Sequence, residues 1–279
     1  MEPEKVEELK GTQFSGVLTL ALLASSATLW IGIIQRWRRG EPILPARFRS
    51  LKVRVPKLAV GLMVIYLGIS LVAIAGSHGK TVDVLSPDVA HNMLLAVLID
   101  GVVTIPLMLM ALLGGQHSQA DVVRLGFRSD DIWGQLRDGF RGFLAAALPV
   151  TLVLLATSPL RSDENLHPFL RILNDEGHTR ERLLILLTAG ILAPLKEELL
   201  FRVVLQNWLT QYFPAAFAIV FTSVVFGAIH GYPDCFPIAV LSLVLGIVYH
   251  RRRSYLAVVT LHGLFNGYNL LATMLSGGA

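Results

Sequence analysis

A single cysteine, Cys235, excludes a disulfide-stapled scaffold. Charge is scarce too: Asp, Glu, Lys and Arg make up 16% of the 279 residues, against roughly 25% in an average soluble domain. Neither a disordered segment nor an ordinary cytosolic enzyme has this composition. Thirteen prolines are scattered without period and no repeat is visible, so collagen-like and solenoid architectures are excluded as well. What the chain has instead is apolar residues, 53% of the total, and a mean hydropathy of +0.60. So much apolar surface has no soluble core to enter, and a multi-spanning membrane protein remains.

A crossing takes about 20 helical residues, and apolar runs of roughly that length divide the chain. The first, 14–35, is followed by a basic cluster of stop-transfer type, so it is expected to be a retained span and not a cleaved signal peptide. The runs 58–76 and 93–113 come next, the latter carrying Asp100 and Pro106. Residues 116–139 mix charge with Leu125, Phe127, Ile132, Trp133 and Leu136, which predicts an amphipathic segment at the interface. A short fourth span, 143–157, can begin within that segment. Beyond a polar loop at 158–182, four more runs cover 183–209, 215–230, 236–249 and 254–274. The expected fold is all-α, a polytopic membrane protein of about eight transmembrane helices around a polar cavity, because runs this long without alternation cannot be barrel strands.

Arg36, Arg38, Arg39, Arg47, Arg49, Lys52, Arg54 and Lys57 crowd the stretch between the first two runs, and Arg251, Arg252 and Arg253 another. Basic residues flanking spans are topology signals, so no nucleic-acid partner is expected and the loop at 36–57 is placed in the cytoplasm. The loops at 114–139 and 250–253 then fall on the same side. The loop at 158–182 falls outside although it carries Arg161, Arg171, Arg180 and Arg182.

Within the apolar runs the acids are Asp100, Glu197 and Glu198, and the histidines are His230 and His262. A carboxylate near mid-bilayer costs roughly 2.5–3.5 kcal/mol, so two adjacent acids need partners or a watery cavity. Glu198 and Arg202 stand at i and i+4, the spacing that pairs side chains on one helix face. Glu197 points about 100° away and is left free, able to take a proton from water. A charge cluster at a helix end is the bland alternative. His230 closes Phe226-Gly-Ala-Ile-His230, and His262 opens His262-Gly-Leu-Phe-Asn266. Singly, each histidine reads as a satisfied core residue and Asn266 as an interhelical hydrogen bond. At 1.5 Å per residue, however, Glu197, His230, His262 and Asn266 lie roughly 18, 22, 12 and 18 Å from the expected cytoplasmic ends, in one slab of the bilayer.

One carboxylate, two imidazoles and a carboxamide suit hydrolysis of an amide. Glu197 would take a proton from water that His230 orients, and His262 and Asn266 would donate to the oxyanion. No serine, threonine or cysteine sits next to a base, which disfavours a covalent nucleophile. Zinc is the other option, with Glu197, His230 and His262 as ligands. The sequence lacks HExxH and Asn266 is a poor zinc ligand, so water activation with no required cofactor is preferred.

The series Glu197-Glu198-x-x-x-Arg202, Phe226-x-x-x-His230 and His262-x-x-x-Asn266, with Ala193-Pro194 before the acids, resembles the three signature motifs of the CPBP family. That family comprises the type II CAAX prenyl endopeptidases and the bacteriocin-processing intramembrane proteases. The likeness covers roughly residues 140–272, and the first four runs share only hydropathy. It implies a glutamate-dependent, nominally metallopeptidase enzyme, with Glu197 activating water beside His230, His262 and Asn266 stabilising the oxyanion, and Glu198 and Arg202 in support. Val203 departs from the glycine many members carry. Asp234 departs from the asparagine of some CAAX-cleaving members, which bears on prenyl specificity. The resemblance divides the chain into N-terminal spans with the basic loop and amphipathic segment, 1–139, and a catalytic membrane domain, 140–274. The expected partners are membrane lipid and a membrane-anchored or prenylated protein or peptide, in the cell or inner membrane. The competing class is a non-catalytic scaffold, an immunity-type protein or a transporter using the same polar cavity, although no inverted repeat is visible.

Overall fold

The computed structural model describes residues 3–44, 53–77, 86–114, 118–161, 168–174 and 179–275. Arg47, Arg49 and Lys52 of the basic stretch, residues 116 and 117 of the expected amphipathic segment, and parts of the loop at 158–182 lie outside them. The described elements are all helical: α1 Pro3–Arg38, α2 Lys57–Ser77, α3 Pro87–Leu113, α4 Gln119–Arg124, α5 Ile132–Ala156 and α6 Pro168–Asn174. A continuous helical run, α7, occupies 179–209, and α8 Ala215–Ala228, α9 Cys235–Arg252 and α10 Tyr255–Leu275 complete the chain.

Four stretches are long and apolar enough to cross a membrane: Gly11–Arg38, Asp88–Leu113, Ile132–Ala156 and Cys235–Arg252. Shorter apolar helices cover Lys57–Ala73 and Ala215–Ala228. The protein is thus an all-α polytopic membrane protein. The 14 residues of α8 rise about 21 Å, less than the ~30 Å hydrocarbon layer.

Two element boundaries differ from those the hydropathy pattern predicts. Helix α3 starts at Pro87, six residues before the apolar run at 93–113, because Pro87 suits a first helical position and Asp88 a first turn. Residues 132–139 are the opening turns of α5, not part of an interfacial segment. Asp131 caps them, its Oδ1 accepting from Gly134 N at 3.0 Å. Two of the polar residues in these turns, Gln135 and Asp138, are buried against the end of α9 and the turn that follows it. Asp138 pairs with Arg252 at 2.6 Å, and Gln135 Oε1 accepts from Ser254 Oγ at 2.6 Å. Of the predicted amphipathic stretch, α4 alone stays a separate helix.

Helix α5 packs against α9 and α10. Backbones come close there: a Cβ at Gly139 would stand 2.5 Å from the Ala257 carbonyl oxygen. Helix α1 lies on the outside of this layer. Ser26 Oγ donates to the Leu144 carbonyl, Trp30 Nε1 donates to the Ala145 carbonyl at 3.0 Å, and Thr19 meets the Tyr268 hydroxyl at 2.7 Å.

Helix α7 is irregular. Its α-helical pieces Thr179–Leu187, Ala193–Glu198 and Asn207–Leu209 are separated by wider π turns at Thr188–Leu192 and Leu199–Gln206. Pro194 stands two residues past the end of the first π turn. Ala193 N bonds to the Thr188 carbonyl, five residues back, and Pro194 has no N–H to continue that register. The next carbonyl, that of Ala189, must find its donor elsewhere.

Candidate active site

Three side chains form a buried chain across α7 and α10. Arg202 is fully buried, its Nε 3.0 Å from Glu198 Oε2 and its Nη2 donating to Ser242 Oγ at 2.8 Å. The other Glu198 oxygen lies 2.8 Å from His262 Nδ1. A carboxylate paired to arginine only accepts, so Nδ1 carries the proton and Nε2 is the ring nitrogen left for chemistry. That Nε2 faces Glu197 Oε2 at 3.8 Å. The gap is too long for a direct hydrogen bond and suits two groups sharing one water. The two glutamates separate as their spacing predicts: the Glu198 side chain has no exposure, whereas that of Glu197 is 19% exposed.

His230 follows α8, with its Nδ1 2.6 Å from the Phe226 carbonyl oxygen. A carbonyl accepts, so here too Nδ1 donates and Nε2 is the free nitrogen. The Phe226 ring sits between the imidazoles, its centroid 4.7 Å from that of His230 and 5.9 Å from that of His262. Phe201 meets the same ring edge-on at 4.8 Å, and the Arg202 guanidinium lies 5.4 Å from its centroid. The turn that bears His230 is tethered by Asp234, which pairs with Arg161 at 2.8 Å.

Asn266 stands one turn beyond His262, and its Nδ2 donates to the Ala189 carbonyl at 2.8 Å. That is the carbonyl left over by Pro194, so the carboxamide ties α10 to the π turn of α7 as an interhelical bond. One of its two N–H groups remains for other use.

Both imidazoles are held through Nδ1 and keep Nε2 free, an orientation that suits a metal ligand as well as a partner for water. As arranged, no group of three His, Cys, Asp or Glu among the described residues is placed to hold a metal ion.

A second polar cluster adjoins Glu197, and only one member was singled out from the sequence. Lys196 Nζ meets Asp100 Oδ2 at 2.5 Å. The Tyr66 hydroxyl donates to the same oxygen at 3.3 Å, and Thr104 Oγ1 donates to Oδ1 at 3.0 Å. The ammonium also lies 5.2 Å from the Tyr66 ring centroid. Asp100 stood out as an acid inside an apolar run. The signal for Lys196 was the same, a charge within a run, but it was overshadowed by the two acids beside it.

The class defined by this fold is a helical membrane protein in which the carboxylates of α7 meet an imidazole of α10, with a second imidazole on the turn after α8. Its residues 179–268, which hold all three motifs, match the family model described as type II CAAX prenyl endopeptidase Rce1-like. The match supports membership of the CPBP family and, in general terms, a CAAX-type intramembrane protease. No curated protein and no solved structure matches the chain.

Proposed function

We propose that the chain is an intramembrane endopeptidase that hydrolyses a peptide bond in a membrane-anchored or CAAX-type substrate, with water activated by Glu197. The observation that carries this function is the Arg202–Glu198–His262 chain, which turns the free imidazole nitrogen of His262 towards Glu197.

Glu197 takes one proton from water as the water oxygen bonds to the scissile carbonyl carbon, and the carbonyl electron pair moves to oxygen. When that oxyanion collapses, the C–N bond breaks and the proton held by Glu197 passes to the departing nitrogen. One water is consumed, and a carboxylic acid and an amine form, the acid's proton passing on to the amine as the two products leave. His230, held through Nδ1 by the Phe226 carbonyl, orients the water through Nε2. His262, held through Nδ1 by the Glu198–Arg202 pair, donates to the oxyanion from Nε2 once that nitrogen has taken up a proton, and Asn266 donates from its remaining amide N–H. The reaction in this form requires no cofactor. In this reading about eight helices cross the cell or inner membrane, the site lies within the bilayer where a lipid-anchored substrate resides, and the motif-bearing part, 140–274, is the catalytic domain.

The test uses the full chain in detergent and a farnesylated, internally quenched peptide ending in a CAAX-type tetrapeptide. Glu197→Gln and His230→Ala are expected to abolish cleavage while both variants insert normally, and wild-type cleavage is expected to persist with a strong chelator. Undiminished cleavage in both variants would sink Glu197 and His230 as the catalytic groups, whereas biological activity retained by both without cleavage would favour the scaffold or transporter class.

A further inference from the structure

Asp100 is an acid inside an apolar run, and the reaction above gives it no task. Its side chain is 38% exposed, yet three donors from three helices converge on it: Lys196 from α7, Tyr66 from α2 and Thr104 from α3 itself. The Lys196 side chain, by contrast, is only 10% exposed. Lys196 immediately precedes Glu197, and successive residues on a helix point about 100° apart. A helix whose Lys196 is held towards α2 and α3 therefore turns the next side chain to a neighbouring face.

The local backbone needs such a hold. The segment Ala193–Glu198 is a six-residue piece of α-helix between two π turns, so a regular hydrogen-bond ladder does not fix its rotation from either end. Its other contacts complete the hold. The Leu195 carbonyl accepts from the Tyr255 hydroxyl at 2.6 Å, and Glu198 is fixed by Arg202 and His262. Leu195 and Glu198 are held from α10 and Lys196 from α2 and α3, and Glu197 is carried by its neighbours.

We propose that Asp100 and Lys196, with Tyr66, are positioning residues that set the rotation of residues 193–198 and thereby aim Glu197 at His262. The proposal rests on Glu197 as the base and assigns part of the site to α2 and α3, outside the segment that matches the family model.

The experiment measures kcat and KM of Lys196→Met and Asp100→Asn, as full chains in detergent, on the same farnesylated peptide. A misplaced catalytic group is expected to lower kcat about 100-fold while KM stays within about threefold. Lys196→Arg, which keeps the charge and the reach, is expected to retain kcat within about fivefold. A readout independent of turnover is the ring signal of His262 in 15N-histidine NMR, assigned by its loss in His262→Asn. Its position is expected to move in Lys196→Met in the same direction as in Glu197→Gln. An unmoved His262 signal overturns the proposal, as does a variant that yields less folded protein but the same kcat per folded molecule. Should the wild-type chain leave the peptide uncut, the proteolytic function fails, and the His262 signal alone still decides whether the pair orients Glu197.

Discussion

Arg202 has no solvent contact, and the charge that answers it is Glu198. Glu198→Gln therefore strands a buried guanidinium and should destabilise the protein by about 3–5 kcal/mol. The same change weakens the hold on His262, so peptide cleavage should fall further than the loss of folded protein explains. Thermal unfolding in detergent, read beside kcat per folded molecule, checks both. The Glu198–Arg202 pair was legible in the sequence because its partners lie four residues apart and helix geometry alone brings them together. The freedom of Glu197 followed from the same geometry. Asn266 was legible only as two alternatives, and the interhelical bond among them is made because Pro194, lacking an N–H, leaves the Ala189 carbonyl for Asn266 to satisfy. The Lys196–Asp100 pair spans 96 residues, and no local pattern marks such a contact.

At the scale of elements, hydropathy located the apolar runs and misjudged where α3 and α5 begin. The reason is visible in α5. Asp138 and Gln135 look like surface residues in sequence but are buried against Arg252 and Ser254, so polarity there reports a tertiary contact. The π turns of α7 were not legible either, since an apolar run reads much the same at either helical pitch. The close approach of α5 and α10 gives a prediction at this scale. Gly139→Leu places a branched side chain where even a Cβ meets the Ala257 carbonyl oxygen at 2.5 Å, so α10 must shift. Overpacking of this kind costs about 1–3 kcal/mol. Because α10 carries His262 and Asn266, cleavage should drop together with the melting temperature, whereas Gly16→Leu on the open side of α1 should change neither.

For the whole molecule, the flanking arginines give an orientation that Cys235 can report. It is the chain's one cysteine, it is half-buried, and it opens α9 beside the turn bearing His230. With the loop at 36–57 in the cytoplasm, that end of the bundle faces outwards. A membrane-impermeant maleimide added to intact cells should label Cys235, and labelling that appears only after permeabilisation reverses the orientation.

Helix α7 brings Lys196, Glu197, Glu198 and Arg202 into an otherwise apolar stretch, where each charge left alone costs about 2.5–3.5 kcal/mol. Glu198 and Arg202 neutralise one another along the helix and can enter the bilayer together. The counter-ion of Lys196 belongs to α3, which leaves the ribosome earlier, whereas the imidazole that completes Glu198 belongs to α10, the last helix described. Biogenesis thus meets an asymmetric helix, welcomed from its lysine side by a span already inserted and left unfinished on its glutamate side until α10 follows.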